Sequence, residues 1–126
     1  YCYYTGKIGH DQTLEDFPEV WAAFKPLLSD LKQAEPLVLA PDVEPTLTCR
    51  VDDPTRAAAL HTLERQMGEK RWLLLVNDEE APMAITVDLA GAAGARDVLR
   101  GEALPAAEGR LRLTLDGYGA MVVEVG

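Results

Sequence analysis

Beyond residue 45, apolar and polar side chains alternate with a period of two. Leu47, Cys49 and Val51 are interleaved with Thr46, Thr48, Arg50 and Asp52. Met83, Ile85, Val87 and Leu89 are interleaved with Ala84, Thr86 and Asp88, and Leu111, Leu113 and Leu115 with Arg110, Arg112 and Thr114. Met121, Val123 and Val125 close the chain in the same way. Successive side chains of a strand point to opposite faces of its sheet, so each run has one oily face and one wet face. A helix would need its apolar positions three or four residues apart. Trp72 to Val76 is apolar without interruption, which predicts a central strand covered on both faces. Turn signals separate the runs: Asn77-Asp78, Gly91 to Gly94, Gly101, Gly109 and Asp116-Gly117. A chain of 126 residues holds one domain with a real core and is too short for two full ones. Together these features predict a mainly β fold, an antiparallel β-sandwich over residues 46–126, preceded by an amphipathic helix.

Ahead of the sandwich the period is helical. Phe17, Val20, Trp21, Phe24, Leu28 and Leu31 recur at spacings of three, four or seven. Asp16 and Glu19 read as a capping box, with Pro18 in the first turn, where its missing N–H does no harm. Pro26 predicts a kink, or two short helices of which it opens the second, and the pattern stops before Pro36. Residues 1–36 are therefore read as a loop and helix. Residues 37–45 are read as a stiff, extended connector, since Pro36, Pro41 and Pro45 fall within ten residues. One segment is ambiguous. Asp53-Pro54, then Thr55 to Met67, then Gly68 looks like a capped helix. The same stretch also reads as a strand from Ala58 to Gln66 that turns back through Met67-Gly68-Glu69-Lys70. The apolar strand at Trp72 needs two neighbours, so strand is the expectation, with helix the alternative.

The chemistry is sparse. Twelve Lys and Arg stand against 21 Asp and Glu, a net charge of −9, which argues against a nucleic-acid or anionic-membrane surface. No run is apolar enough to span a bilayer. Two cysteines make neither a disulfide framework nor a four-thiolate zinc site. Cys49 falls in an apolar set and reads as core, while pairing of Cys2 with Cys49 is left open. Ser29 is the only serine, within the helical pattern, and no Gly-x-Ser-x-Gly elbow exists. His10 and His61 are the only histidines, and neither has a ligand partner at i+3 or i+4, so no metal site is expected. Asp78, Glu79 and Glu80 read as a solvated turn. Gly91-Ala-Ala-Gly94 lacks the pattern of a phosphate loop, and no dinucleotide fingerprint appears. No catalytic residue and no cofactor are expected. Trp72 is read as packing. Tyr118, in a turn, is read as capping the open end of the core, with sugar stacking the alternative for both. The chain begins at Tyr1, not Met, and reads as a piece of a longer protein.

Several of these stretches resemble a known family. Arg71 to Asn77, the short acidic turn and Met83 to Leu89 look like the middle of the C-terminal β-sandwich of TIM-barrel glycoside hydrolases. Asp97 to Leu104, a loop, Gly109 to Leu115 and Gly117 to Val125 are similar to the close of many α-amylase-like and β-galactosidase-like chains. Phe17 to Phe24 and Leu31 to Leu39 resemble the last barrel helix and its exit. The resemblance implies a non-catalytic accessory domain, its partner being the catalytic barrel of the same parent chain, where the reacting carboxylates lie. It also implies that residues 1–11 lead into the last barrel helix. Tyr3, Tyr4, Lys7 and His10 are then candidate substrate contacts, with carbohydrate as the ligand. Two other readings stay open: a carbohydrate-binding module, and an interaction domain that self-associates through the exposed helix face.

Overall fold

The computed structural model describes residues 17–126, and Asp16 of the expected capping box lies outside them. The chain divides into two compact units, Tyr1–Gln33 and Ala34–Gly126. One helix, α1 (Pro18–Leu39), begins in the first unit and ends in the second. It starts with the Trp21 amide donating to the Phe17 carbonyl at 3.0 Å. It runs as one element through Pro26 rather than as two short helices, and it does not stop before Pro36. Leu37 explains the overrun. That side chain is fully buried in the second unit with Trp72 and Val122, so burial draws the last turn on past the proline. The extended connector accordingly begins at Ala40, whose amide closes the helix on the Pro36 carbonyl.

The second unit is the expected sandwich of two antiparallel sheets. Its strands are β1 (Thr48–Val51), β2 (Leu60–Met67), β3 (Lys70–Asn77), β4 (Met83–Asp88), β5 (Ala95–Asp97), β6 (Glu102–Leu104), β7 (Ala106–Ala107), β8 (Arg110–Leu115) and β9 (Ala120–Val125). One sheet has the order β1-β4-β8-β7 and the other β2-β3-β9-β5-β6. Between them lie Met83, Ile85, Val87, Leu111 and Leu115 from the first sheet, and Leu73, Leu75, Met121, Val123 and Val125 from the second. Leu47, Ala59 and Leu89 fill in from the connections. Apart from Ala59, and from Leu73 and Leu75 of the continuous apolar run, these belong to the apolar sets of the period-two pattern.

The ambiguous segment resolves into both of its readings, one after the other. Pro54–Ala59 is a short 3-10 helix capped by Asp53, which accepts from the Thr55 hydroxyl at 2.7 Å and the Thr55 amide at 3.0 Å. Those two bonds hold the Asp53 carboxyl below its usual range. From Leu60 the chain is strand and pairs with β3 over its whole length, through a turn in which Gly68 takes φ +65°. The outer face of this sheet differs from the plain alternation read for the last strand. Val122 is as buried as Val123, because β9 is the middle strand and its outer face, with Trp72, is covered by Leu37, Ala34, Val98 and Leu99.

Candidate functional site

Tyr3, Tyr4, Lys7 and His10, the residues singled out for substrate contact, lie outside the described residues, as does Cys2. The other chemistry-bearing side chains are placed. Trp72 is buried packing. Tyr118 does not cap the core: it is 72% exposed, in a turn that gives it φ +54°, and its amide is held by the Glu79 carbonyl at 2.8 Å. A backbone amide, not a ring, closes that end. Ser29 is exposed on α1. His61 Nε2 lies 2.6 Å from Asp78 Oδ2, both exposed. The acidic turn is less solvated than its composition implies. Arg56 grips Glu79 Oε2 at 2.7 Å through Nε and reaches the carbonyls of Pro82 and Ala81 with its two other nitrogens, at 2.9 Å each. Among the described residues, no group of three or more His, Cys, Asp or Glu side chains is placed to hold a metal ion.

Cys49 is half-buried, with a free thiol packed against the sandwich core. Burial, and then the Glu64 carboxylate, push its pKa up to about 11. A thiol so far above neutral is almost all protonated at pH 8 and is a poor nucleophile. In the Cys2→Ser variant, a disulfide reagent is expected to modify Cys49 roughly a hundredfold more slowly in the folded chain than in urea. Equal rates would mean that the thiol is not shielded.

Glu64 is a buried carboxylate that gathers four donors. It sits on β2, at the edge of its sheet, yet its side chain is only 2% exposed. Oε2 accepts the amides of Thr46 at 2.8 Å and Leu47 at 2.9 Å. Oε1 accepts the Thr46 hydroxyl at 3.0 Å and Arg71 Nη1 at 2.6 Å. Burial alone would raise its pKa, but these four donors outweigh it and hold the carboxyl below its usual value. Next to it, Arg65 pairs with Asp42 at 2.6 Å, and residues 42 and 65 form an isolated bridge. The segment from Asp42 to Leu47 is thereby pinned along β2. No local pattern around Glu64 announces this role, since its partners lie 17 and 18 residues before it and seven after it.

Two surfaces face solvent with a pattern of their own. The first is an apolar stripe on α1. Val20, Leu27, Leu28 and Leu31 are 54%, 40%, 44% and 39% exposed, and they share one side of the helix. The second is a groove of about 290 Å³ on the outer face of the four-stranded sheet, lined by Thr48, Arg50, Asp52, Thr86, Asp88, Arg110 and Arg112 with Val51. The register sets Arg50, Thr86 and Arg112 side by side in one row and Thr48, Asp88 and Arg110 in the next.

No protein-family model matches the chain, and no curated protein sequence matches it. Solved structures do. A β-galactosidase from Bacillus circulans sp. alkalophilus is 26% identical over 54% of this chain and 9% of its own, with a TM-score of 0.42. A GH42 β-galactosidase from G. stearothermophilus is 20% identical over 75% and 11%, with a TM-score of 0.47. A Bacteroides fragilis protein described as an α-galactosidase/melibiase is 13% identical over 61% and 18%, with a TM-score of 0.50. The last of these shares the sandwich fold. The chain spans only about a tenth to a fifth of the length of the structures it matches.

Proposed function

We propose that this chain is a non-catalytic accessory domain from the C-terminal part of a glycoside hydrolase, and that it stabilises the catalytic barrel of the same parent chain. The observation that carries the reading is the exposed apolar stripe of α1. A row of leucines and valine along a helix is a surface made to be covered, since uncovered it holds apolar area in water at about 25 cal/mol per Å². The last turn of the same helix is anchored by Leu37 in the second unit. A helix fixed at one end and apolar along one side suits a join between two parts of one protein. The sequence resemblance to a last barrel helix and the sandwich fold shared with the α-galactosidase/melibiase structure support the same reading.

The test is made on the parent enzyme. Leu27→Asp combined with Leu31→Asp is expected to lower its Tm by about 5 °C or more, with KM unchanged, because two covered leucines are traded for charges far from the chemistry. The isolated 126-residue chain is expected to show no turnover of aryl glycosides. Turnover by that chain, or an unaltered Tm in the double variant, overturns the reading. A concentration-dependent dimer of the chain that the double variant abolishes, with no effect in the parent, would favour self-association in its place.

A further inference from the structure

We propose that the groove on the outer face of the four-stranded sheet binds a uronate-bearing oligosaccharide. The carboxylate would lie between Arg50 and Arg112, and the hydroxyls would bond Thr86, Asp88 and Thr48. The inference rests on the glycoside hydrolase reading only for the choice of a saccharide; the anion preference comes from the groove itself.

Three observations carry it. The first is what the arginines leave unmade. Of the eight arginines in the chain, five are ion-paired: Arg56, Arg65, Arg71, Arg96 and Arg100. The other three, Arg50, Arg110 and Arg112, make no hydrogen bond or ion pair with any described residue, and all three line this groove. In a chain of net charge −9, the unpaired guanidinium charge is thus gathered on one sheet face. The second is spacing. Arg50 on β1 and Arg112 on β8 flank Thr86 on β4 in one register row. Strands are about 4.8 Å apart, so the two backbone positions stand roughly 10 Å apart with a hydroxyl midway. Two planar forks reaching inward from that distance can each take one carboxylate oxygen. The third is the mixed lining. Asp52 and Asp88 stand among the arginines. Asp88 gives one oxygen to the Ala90 amide at 3.0 Å, which leaves the other to accept a hydroxyl.

This mixture selects the ligand. A phosphodiester, as in a nucleic-acid backbone, offers acceptors only and leaves the two aspartates without a donor. A neutral sugar satisfies the aspartates but brings no charge to three guanidiniums. A ligand bearing both a carboxylate and hydroxyls answers both. The volume, about 290 Å³, lies just below the usual range for small-molecule sites and takes one uronate residue, the rest of the oligosaccharide lying outside the groove. With no aromatic side chain in the lining, binding is set by charge-assisted hydrogen bonds rather than by ring stacking.

The experiment is an NMR titration of the 126-residue chain with trigalacturonate, galactotriose and sodium sulfate. Trigalacturonate is expected to shift amides of β1, β4 and β8 and to bind at least roughly tenfold more tightly than galactotriose or sulfate, with the affinity falling as salt rises. Arg50→Gln and Arg112→Gln are each expected to weaken it roughly three- to fivefold, and Arg112→Lys less, since charge survives while the fork is lost. Both positions lie on the solvent face of the sheet, so an unchanged Tm verifies the fold. Equal binding of galactotriose or of sulfate, unchanged affinity in the Arg50→Gln/Arg112→Gln double variant, or no shifts at all overturns the proposal. Because the parent-enzyme test on Leu27 and Leu31 does not touch this groove, loss of one reading leaves the other standing or falling on its own result.

Discussion

Glu64→Ala is expected to cost the domain about 3–5 kcal/mol, a drop in Tm of roughly 15–30 °C. The side chain removed is an acceptor for four donors, two of them backbone amides. Leu47 is itself buried, so its amide finds no water to replace the lost oxygen. A buried donor left unmet costs about 1–3 kcal/mol, and Arg71 loses its carboxylate as well. The hydroxyl and both amides belong to the segment just before β1, so its docking along β2 fails with them. Glu64→Gln keeps one acceptor oxygen and is expected to lose about half as much. The effect depends on pH in a definite direction. The folded carboxyl titrates below its usual value, so the folded chain holds that proton more weakly than the unfolded chain. The stabilisation is complete above the unfolded value, about 4.3, and fades as pH falls through the folded one. The Tm gap between the parent chain and Glu64→Ala is therefore widest near neutrality and narrows as the solution is acidified below the unfolded value. A gap that stays constant on acidification would show that the carboxylate charge is not what holds this segment.

Gly117→Ala is expected to be the next most damaging change, at about 3–4 kcal/mol, although it adds one methyl. A Cβ at that position would collide with the Glu80 carbonyl oxygen and stand 2.5 Å from its carbon. The obstacle is backbone, so no side chain can swing aside. The turn at Gly117 and the turn at Glu80 would have to part. Between them sits Asn77, fully buried, whose Nδ2 donates to the carbonyls of Ala81 and Asp116 at 2.9 Å each and whose Oδ1 accepts the Glu79 amide at 3.1 Å. Separating the turns strips the Asn77 bond to Asp116 and the Tyr118 amide bond to Glu79. Gly101→Ala supplies the contrast. That glycine has φ +72°, but an added methyl would meet nothing within 4 Å, so only the left-handed backbone penalty of about 1–2 kcal/mol applies. Thermal melts of the two variants should rank Gly117→Ala well below Gly101→Ala. Equal melting would mean that the two turns are not locked together.

The parts of the fold legible from the residues are those in which the environment of a side chain follows from its parity. In β4, Met83, Ile85 and Val87 are buried and Ala84 and Asp88 exposed, as alternation requires. β8 follows with Leu111 and Leu115 inside. Legibility fails where a second layer intervenes. Val122 is buried on the wrong parity because the end of α1 covers it, and α1 continues past Pro36 for the same contact. Tyr118 looks like a cap by composition and is solvent-facing because the backbone of Glu79 already occupies that end.

The surfaces divide along the same line. The helix stripe was visible as a spacing of apolar residues. Which of its residues face solvent was not, because a spacing does not say what packs against it. The arginines of β1 and β8 were visible as polar alternates of apolar runs. That they stand in one row beside Thr86, unpaired, depends on β4 lying between β1 and β8, and those three strands are far apart in the chain.

What the residues alone determine here is the alternation from residue 46 onward and the helical period before it, because side-chain direction repeats every two residues in a strand and about every 3.6 in a helix whatever lies beyond. What the tertiary structure alone decides is pairing at long range. Glu64 is a core acid with four donors only because folding brings Thr46, Leu47 and Arg71 to it. A charge is buried without ruin when its partners arrive together, and that arrival is a property of the whole fold.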